Sequence, residues 1–286
     1  MNAPANTAAM PQRAIAVQRR VLWTMLALLP GAALTAWFQA GPFLAWLGGA
    51  LLLEICLPTN RSFSRQPRNP AALLRIALVA LWLSSTAQTW ALPTGLLAIL
   101  AIEFAFDGHE TANPFHPAML ACALVLTFSP ALPSTSFGIA PASWIAVAYA
   151  LGGIAMIVTR RIRWQAPLAM LASGAIVIAG WSLVDPSLPR QSLLPIGLPV
   201  FVLTAFFVSD DPPRACMDPR ARMVSGLIAG ILAMAAALGL HSLHRDQQVL
   251  PVLASTILLM NAAAPWLDAI CGRQLAAPDR EKATSA

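Results

Sequence analysis

Two pairs of acidic side chains are among those that lie within or beside long apolar runs, where a charge is costly and usually has a role. Glu103 and Asp107 are four residues apart, so they share one face of a helix. Asp210 and Asp211 follow a second apolar run, and Arg214 lies just beyond them. Either pair could bind a cation or pass protons. Alternatively, the first pair marks the exit of a helix from the membrane, and the second pairs with Arg214 to cap the next helix. All four acids are therefore candidate ion-pathway residues.

Metal-binding chemistry finds little support in the sequence. His109 and His116 lack the spacing of a metal pair, and His241 and His244 fall in a predicted loop. The cysteines are scattered with no C-x-x-C spacing, which is typical of small buried apolar residues; they are Cys56, Cys122, Cys216 and Cys271. We therefore predict no metal site.

The composition requires lipid around most of the chain. Of 286 residues, 58% are hydrophobic and only 10% are charged, and the mean hydropathy is +0.67. A soluble domain has roughly a quarter of its residues charged. The pI near 10.1 could indicate nucleic-acid binding, but the basic residues lie in short loops and form no patch interleaved with aromatic residues. We therefore expect a lipid-embedded protein with no nucleic-acid partner.

Continuous apolar runs rich in Ala and Leu predict an all-α polytopic membrane protein with about ten transmembrane helices. The runs are 21–38, 42–56, 71–88, 92–106, 117–130, 144–159, 167–183, 194–208, 223–240 and 249–269. They form a single membrane domain at 19–272, between predicted cytoplasmic tails at 1–18 and 273–286. Five spans followed by five more would place the two halves in opposite orientations, as in an inverted repeat around a midplane site.

The positive charges orient these spans. With the N-terminus in the cytoplasm, only Arg190 and Arg245, of the 18 lysines and arginines, fall on the outer side. Cytoplasmic loops retain positive charge, so this asymmetry supports an even number of spans. We predict a multi-pass protein of the bacterial inner membrane with both termini in the cytoplasm.

Three motifs lie where prolines interrupt the apolar runs. The first, at 113–119, reads N-P-F-H-P-A-M, and the second, at 206–212, reads F-F-V-S-D-D-P. The third is L-L-M-N at 258–261, followed by Pro265 and Asp268. Freed backbone carbonyls and polar side chains at such places can bind an ion or a ligand, although the prolines could simply end or kink helices.

Together these motifs resemble the RnfD/NqrB family, the membrane subunits of the Rnf complex and the sodium-translocating NADH:quinone reductase. The matches occur in the family's order and cover most of the chain. The resemblance implies a membrane subunit that supports transmembrane electron transfer, coupled to Na⁺ or H⁺ movement, with other integral membrane and redox subunits as partners. It also implies a flavin site, for which the matching residues are Asn113, Phe115, His116, Asp211 and Asn261.

One departure from the family concerns covalent flavin. Family members attach FMN to a threonine in an S-G-A-T-like sequence on the outer loop after the fifth span. In this chain the loop at 131–143 contains Thr135 but no Gly-Ala-Thr. We therefore expect no covalent FMN at Thr135, and any flavin, FMN or riboflavin, should be bound non-covalently. Two alternatives stay open: a channel or transporter for small solutes on a similar scaffold, and a scaffold subunit without a cofactor.

Overall fold

The computed structural model describes residues 9–38, 70–83, 91–105, 115–128, 139–185, 194–209, 215–242 and 249–283. These residues are mostly helical, and no strand occurs among them. The helices are α1 Ala9–Phe38, α2 Pro70–Leu83, α3 Ala91–Ala105, α4 Pro117–Phe128, α5 Ile139–Val158, α6 Gln165–Ser182, α7 Leu194–Phe207, α8 Pro219–Ser242 and α9 Val249–Ala283.

The described helices confirm the predicted class, an all-α polytopic membrane protein. Each overlaps one predicted apolar run, while the run at 42–56 lies outside the described residues. Helices α1 and α9 also extend into the segments predicted as tails, over residues 9–18 and 273–283.

Five of the described helices contain a stretch that is long and apolar enough to cross a bilayer. At 1.5 Å per residue, their shortest stretch of 18 residues spans about 27 Å. These stretches are Arg19–Phe38, Pro141–Val158, Gln165–Ser182, Pro219–Leu240 and Leu250–Gly272. Shorter apolar helical stretches are Leu74–Leu83, Pro117–Phe128 and Leu198–Phe207.

The contacts between helices repeat along the chain. In the first half α1 packs on α2, α2 on α4 and α3 on α4; in the second half α5 packs on α7, α7 on α9 and α8 on α9. The halves meet where α1 packs on α5 and where α4 packs on α9. In this correspondence the counterpart of α6 is the predicted run at 42–56. The contacts among the described helices therefore support the predicted repeat of the two halves.

Two buried hydrogen bonds join helices that correspond to each other in these repeats. The indole Nε1 of Trp82 on α2 donates to Oγ1 of Thr204 on α7 at 3.2 Å. The hydroxyls of Thr35 on α1 and Tyr149 on α5 lie 3.1 Å apart. Both contacts place a polar pair inside an apolar core, where a satisfied hydrogen bond fixes the relative position of two helices.

Small residues bring α6 and α8 into backbone contact, the most extensive contact between any two described helices. Gly226 and Gly230 form a G-x-x-x-G pattern on the face of α8 toward α6. A Cβ on Gly226 would collide with the carbonyl oxygen of Ala166, and one on Gly230 with Ser173 and the carbonyl of Met170. These positions therefore require glycine.

Candidate functional site

A short non-helical segment, residues 215–218, leads into α8 and is held by a carboxylate from α9. One Asp268 oxygen, Oδ2, accepts a hydrogen bond from the backbone N–H of Met217 at 2.9 Å. The other, Oδ1, accepts from the backbone N–H of Asp218 at 3.0 Å. Hydrogen bonds to a charged acceptor are stronger than neutral ones, so Asp268 fixes this segment against α9.

Arg222 holds the same segment through its carbonyl groups. Its side chain is only 2% exposed, and Nε and Nη2 donate to the Cys216 carbonyl at 3.1 and 2.8 Å. Nη2 also donates to the Met217 carbonyl at 2.9 Å. A cation in the first turn of a helix opposes the helix dipole, and these bonds offset that cost. Hereafter the 215–218 segment with Asp268 and Arg222 is called the loop clamp.

Asp218 begins α8. Its Oδ1 accepts hydrogen bonds from the backbone N–H groups of Arg220 at 2.7 Å and Ala221 at 3.2 Å. Pro219 follows at the first helical position, where its missing N–H costs nothing. Asp218 therefore caps α8. Asp210 and Asp211, which were predicted to cap this helix together with Arg214, lie outside the described residues.

A small cavity lies beside the loop clamp, between α6, α8 and α9. Its volume for water-sized occupants is about 20 Å³. Among the described residues of its wall, Ser209, Cys216, Ser225 and Asn261 are polar and the others are apolar. The Asn261 Nδ2 atom is buried and has no hydrogen-bond partner among the described residues. Ligand pockets usually enclose several hundred Å³, so a flavin ring does not fit this cavity.

Cys216 is a buried thiol in this wall. Its Sγ donates to the Ala264 carbonyl at 3.9 Å. Burial, followed by the negative charge of Asp268, raises the pKa of the thiol from 9.0 to about 11, despite the opposing effects of Ser225 and Arg222. At neutral pH the side chain is therefore a neutral thiol and a poor nucleophile.

Of the three predicted flavin residues that the structure describes, only Asn261 lines this cavity. Phe115 and His116 stand at the start of α4. His116 is 4% exposed, and its carbonyl accepts a hydrogen bond from the Leu120 N–H at 2.9 Å. The other two predicted flavin residues, Asn113 and Asp211, lie outside the described residues.

Among the predicted ion-pathway residues, only Glu103 lies in a described helix, in the last turn of α3. Asp107 and Asp210 lie outside the described residues, as does Thr135. Within the described ranges, no group of three His, Cys, Asp or Glu side chains is arranged to hold a metal ion.

Sequence reasoning missed the loop clamp, although two signals for it were present. Asp218 followed by Pro219 is a typical start of a helix. Arg222 then falls in the first turn, where the helix dipole disfavours a cation, so a partner for its guanidinium was to be expected. The sequence interpretation used Arg222 only in the count of cytoplasmic charges and therefore assigned it no contact. The contact of Asp268 with the same segment had no local signal, because Asp268 lies about 50 residues further along the sequence.

Comparison with known proteins places the cavity and the loop clamp inside a matched region. The model of the NQR2, RnfD, RnfE family matches residues 132–276, which include α5 to α8 and most of α9. The matched region contains Asn261, Cys216, Arg222 and Asp268, but not the N-P-F-H-P motif.

Similar curated proteins include several that are named as one subunit of an ion-translocating oxidoreductase complex. The one from Shewanella sediminis is 30% identical over 59% of this chain and 47% of its own length. Those from Colwellia psychrerythraea and Aeromonas hydrophila are 25% and 26% identical, over 87% and 85% of this chain and 68% and 77% of their own lengths. The chain spans about half the length of the three Shewanella relatives it matches.

The family model covers just over half of the chain, and it coincides with the helices that carry the cavity and the loop clamp. The motifs at 206–212 and 258–268 fall in the same region. This chain is therefore a member of the NQR2, RnfD, RnfE family.

Proposed function

We propose that this protein is a membrane subunit of an Rnf/Nqr-like electron-transfer complex in the bacterial inner membrane. The observation that carries the proposal is the family match over 132–276, because that region builds the second half of the bundle with its loop clamp. The relatives share a name that refers to one component of an ion-translocating oxidoreductase complex. By this reading, the present chain also assembles with other integral membrane and redox subunits.

Both termini are proposed to lie in the cytoplasm, which places the loop clamp on the cytoplasmic side. The turn between α5 and α6 lies on the same side and carries Arg160, Arg161 and Arg163. The Arg161 guanidinium lies 5.4 Å from the ring centre of Trp23 on α1. A cation stacked on an interfacial tryptophan is typical of the membrane–water boundary, and the positive charges favour the cytoplasmic side.

Electron transfer through this subunit needs a bound cofactor, since no amino-acid side chain supplies the redox chemistry of a flavin. The Asn261 cavity is too small, so we propose that non-covalent FMN or riboflavin binds at the start of α4. There Phe115 is half-buried and His116 is buried. An aromatic ring could contact the flavin's apolar face and an imidazole could hydrogen-bond its polar edge.

The flavin proposal is tested by the absorbance of the purified complex before and after acid precipitation. Flavin that appears in the supernatant is bound non-covalently, as expected here. Flavin that stays with the precipitated chain would contradict the proposal, as would its absence from both fractions. A complex carrying the His116→Ala substitution should contain less bound flavin, so less flavin should appear in the supernatant.

Coupling to Na⁺ or H⁺ movement is proposed to involve the acids in or near the spans. Glu103 and Asp107 are one helical turn apart in sequence, and Asp210 and Asp211 belong to the F-F-V-S-D-D-P motif. Glu103→Gln and Asp211→Asn should each reduce ion uptake by membrane vesicles during electron transfer. Electron transfer itself should fall less than ion uptake if these carboxylates serve the ion.

A solute channel is disfavoured by the buried hydroxyls of the described core. A channel needs polar groups directed into a continuous path. Here the hydroxyls bond to carbonyls of their own helices three or four residues earlier; they are those of Thr24, Thr35, Ser173, Thr204 and Thr256. Such back-bonding satisfies polar groups inside a packed core rather than in a pore.

The proposed function is tested in membrane vesicles from cells that lack the gene. With NADH or a dithionite-reduced viologen as donor, transfer of electrons to the membrane should be slower than in the parent. A plasmid copy of the gene should restore the rate. Equal rates with both donors in the presence and absence of the gene would overturn the proposal.

A further inference from the structure

The cavity beside the loop clamp has the size of a single water molecule. A cavity needs roughly 10–15 Å³ of space for water-sized probes to hold one water, and this one offers about 20 Å³. Apolar cavities of such size stay empty, whereas polar ones are filled. The occupant is therefore decided by the chemistry of the wall.

The polar groups in the wall include a hydrogen-bond donor and a hydrogen-bond acceptor, and a water molecule can bond to both. Asn261 presents a buried Nδ2 donor with no partner among the described residues. Ser209 already donates its hydroxyl proton to the Ala205 carbonyl at 2.5 Å, so it can only accept another bond. The Ser225 hydroxyl bonds to the Cys216 thiol. A ligand at this place must accept from an amide and donate to a hydroxyl oxygen.

We infer that this cavity is a binding site for one ordered water molecule that bridges Asn261 on α9 to Ser209 at the end of α7. Among the wall residues that the structure describes none is a carboxylate, and the buried Asn261 N–H is a donor that a bare cation cannot accept. A buried donor without a partner is destabilising, and the bridging water supplies the partner of Nδ2. The site joins α7 and α9 beside the loop clamp, and the inference does not rest on the proposed electron-transfer function.

X-ray footprinting of the purified complex in lipid nanodiscs tests this inference. Radiolysis of a bound water produces hydroxyl radicals in place, so side chains beside it are oxidised despite their burial. Met260 and Cys216 line the cavity, and Met119 and Cys122 are matched controls in the dry core. Exposed fractions are 8% and 3% for the first two residues and 0% for both controls. We expect Met260 and Cys216 to be oxidised several times faster than their controls.

Two substitutions at Asn261 separate bound water from residual exposure. Asn261→Leu fills the space and removes the donor, so oxidation of Met260 and Cys216 should fall to the level of Met119 and Cys122. Asn261→Ser keeps a polar donor beside the cavity without filling it, and should keep the fast oxidation. Wild-type rates for Met260 and Cys216 equal to those of the controls would overturn the inference without any variant. A rate that changes when K⁺ replaces Na⁺ would also overturn it, because the occupant would then be an ion.

Discussion

Arg222 and Asp268 hold the same short segment, Arg222 by the carbonyls of Cys216 and Met217 and Asp268 by the N–H groups of Met217 and Asp218. These groups bond to the two side chains and not to the backbone of a helix. Their burial without partners would be costly, so the two side chains stand in for the missing backbone partners. The loop clamp is thus a structural element built from two charges.

Replacing Arg222 with Lys should destabilise the protein, because an ammonium group cannot match the fork of Nε and Nη2 toward two carbonyls. We expect a loss of about 1–3 kcal/mol in the free energy of unfolding, measured by SDS titration in mixed micelles. Arg220→Lys is the matched control, since Arg220 is an exposed arginine two residues earlier. Equal stability of the two variants would show that the carbonyl contacts of Arg222 contribute nothing.

Cys216 should make the stability of the protein depend on alkaline pH. Its pKa is about 11 in the folded protein, above the ordinary value of 9.0. As the pH rises above 9, the unfolded chain loses this proton while the folded protein keeps it, so folding becomes less favourable. The melting temperature of wild type should therefore fall more steeply between pH 9 and 11 than that of Cys216→Ser. Parallel curves for the two proteins would contradict the raised pKa.

At the scale of helices, the backbone contact between α6 and α8 depends on two glycines. Gly230→Ala would insert a methyl group against Ser173 and the Met170 carbonyl, and the helices would have to separate. We expect a loss of about 1–3 kcal/mol in the free energy of unfolding, as is typical of overpacking. Gly239→Ala on the same helix is the control, because a Cβ there would meet no atom within 4 Å. If both variants unfold alike, the close approach of the two helices is not important for stability.

The sequence predicted most helices well, because a spanning helix is defined by its own apolar length. The predicted run at 194–208 and the helix Leu194–Phe207 agree within one residue. Prediction from the sequence was incomplete where contacts between distant residues decide the structure. The resemblance assigns Asn261 to a flavin site, which stays a prediction, but the small cavity that Asn261 lines between α6, α8 and α9 had no signal in the sequence. The loop clamp was not predicted, because its two charged residues, Arg222 and Asp268, are distant in sequence.

At the scale of the whole molecule, the proposed membrane orientation can be tested by labelling cysteines at two exposed positions. Leu183 lies at the end of α6 and is 88% exposed, and Met217 in the loop clamp is 75% exposed. In a background with the native cysteines replaced by alanine, Leu183→Cys should react with a membrane-impermeant maleimide added to spheroplasts. Met217→Cys should react only after the membrane is permeabilised. The reverse pattern would place the termini outside the cell.

The repeated contacts bear on how the whole bundle is built. Helices α1 and α5 occupy corresponding places, and so do α2 and α7. The bonds Thr35–Tyr149 and Trp82–Thr204 join each of these pairs across the two halves. If the predicted run at 42–56 also forms a helix, each half has five, and the second half runs in the opposite direction in the membrane, as the charge distribution predicts. The described helices thus combine a repeated set of contacts with a loop clamp in the second half.

Affinity purification of the tagged protein from its native membranes, under mild detergent, tests the proposed membership of a redox complex most directly. Mass spectrometry, flavin fluorescence and iron analysis of the purified sample identify what accompanies the chain. We predict that it elutes in an assembly with other membrane subunits and at least one subunit that carries flavin or iron–sulfur clusters. Elution of the chain alone or with non-redox proteins only, free of flavin and iron, would contradict the proposal.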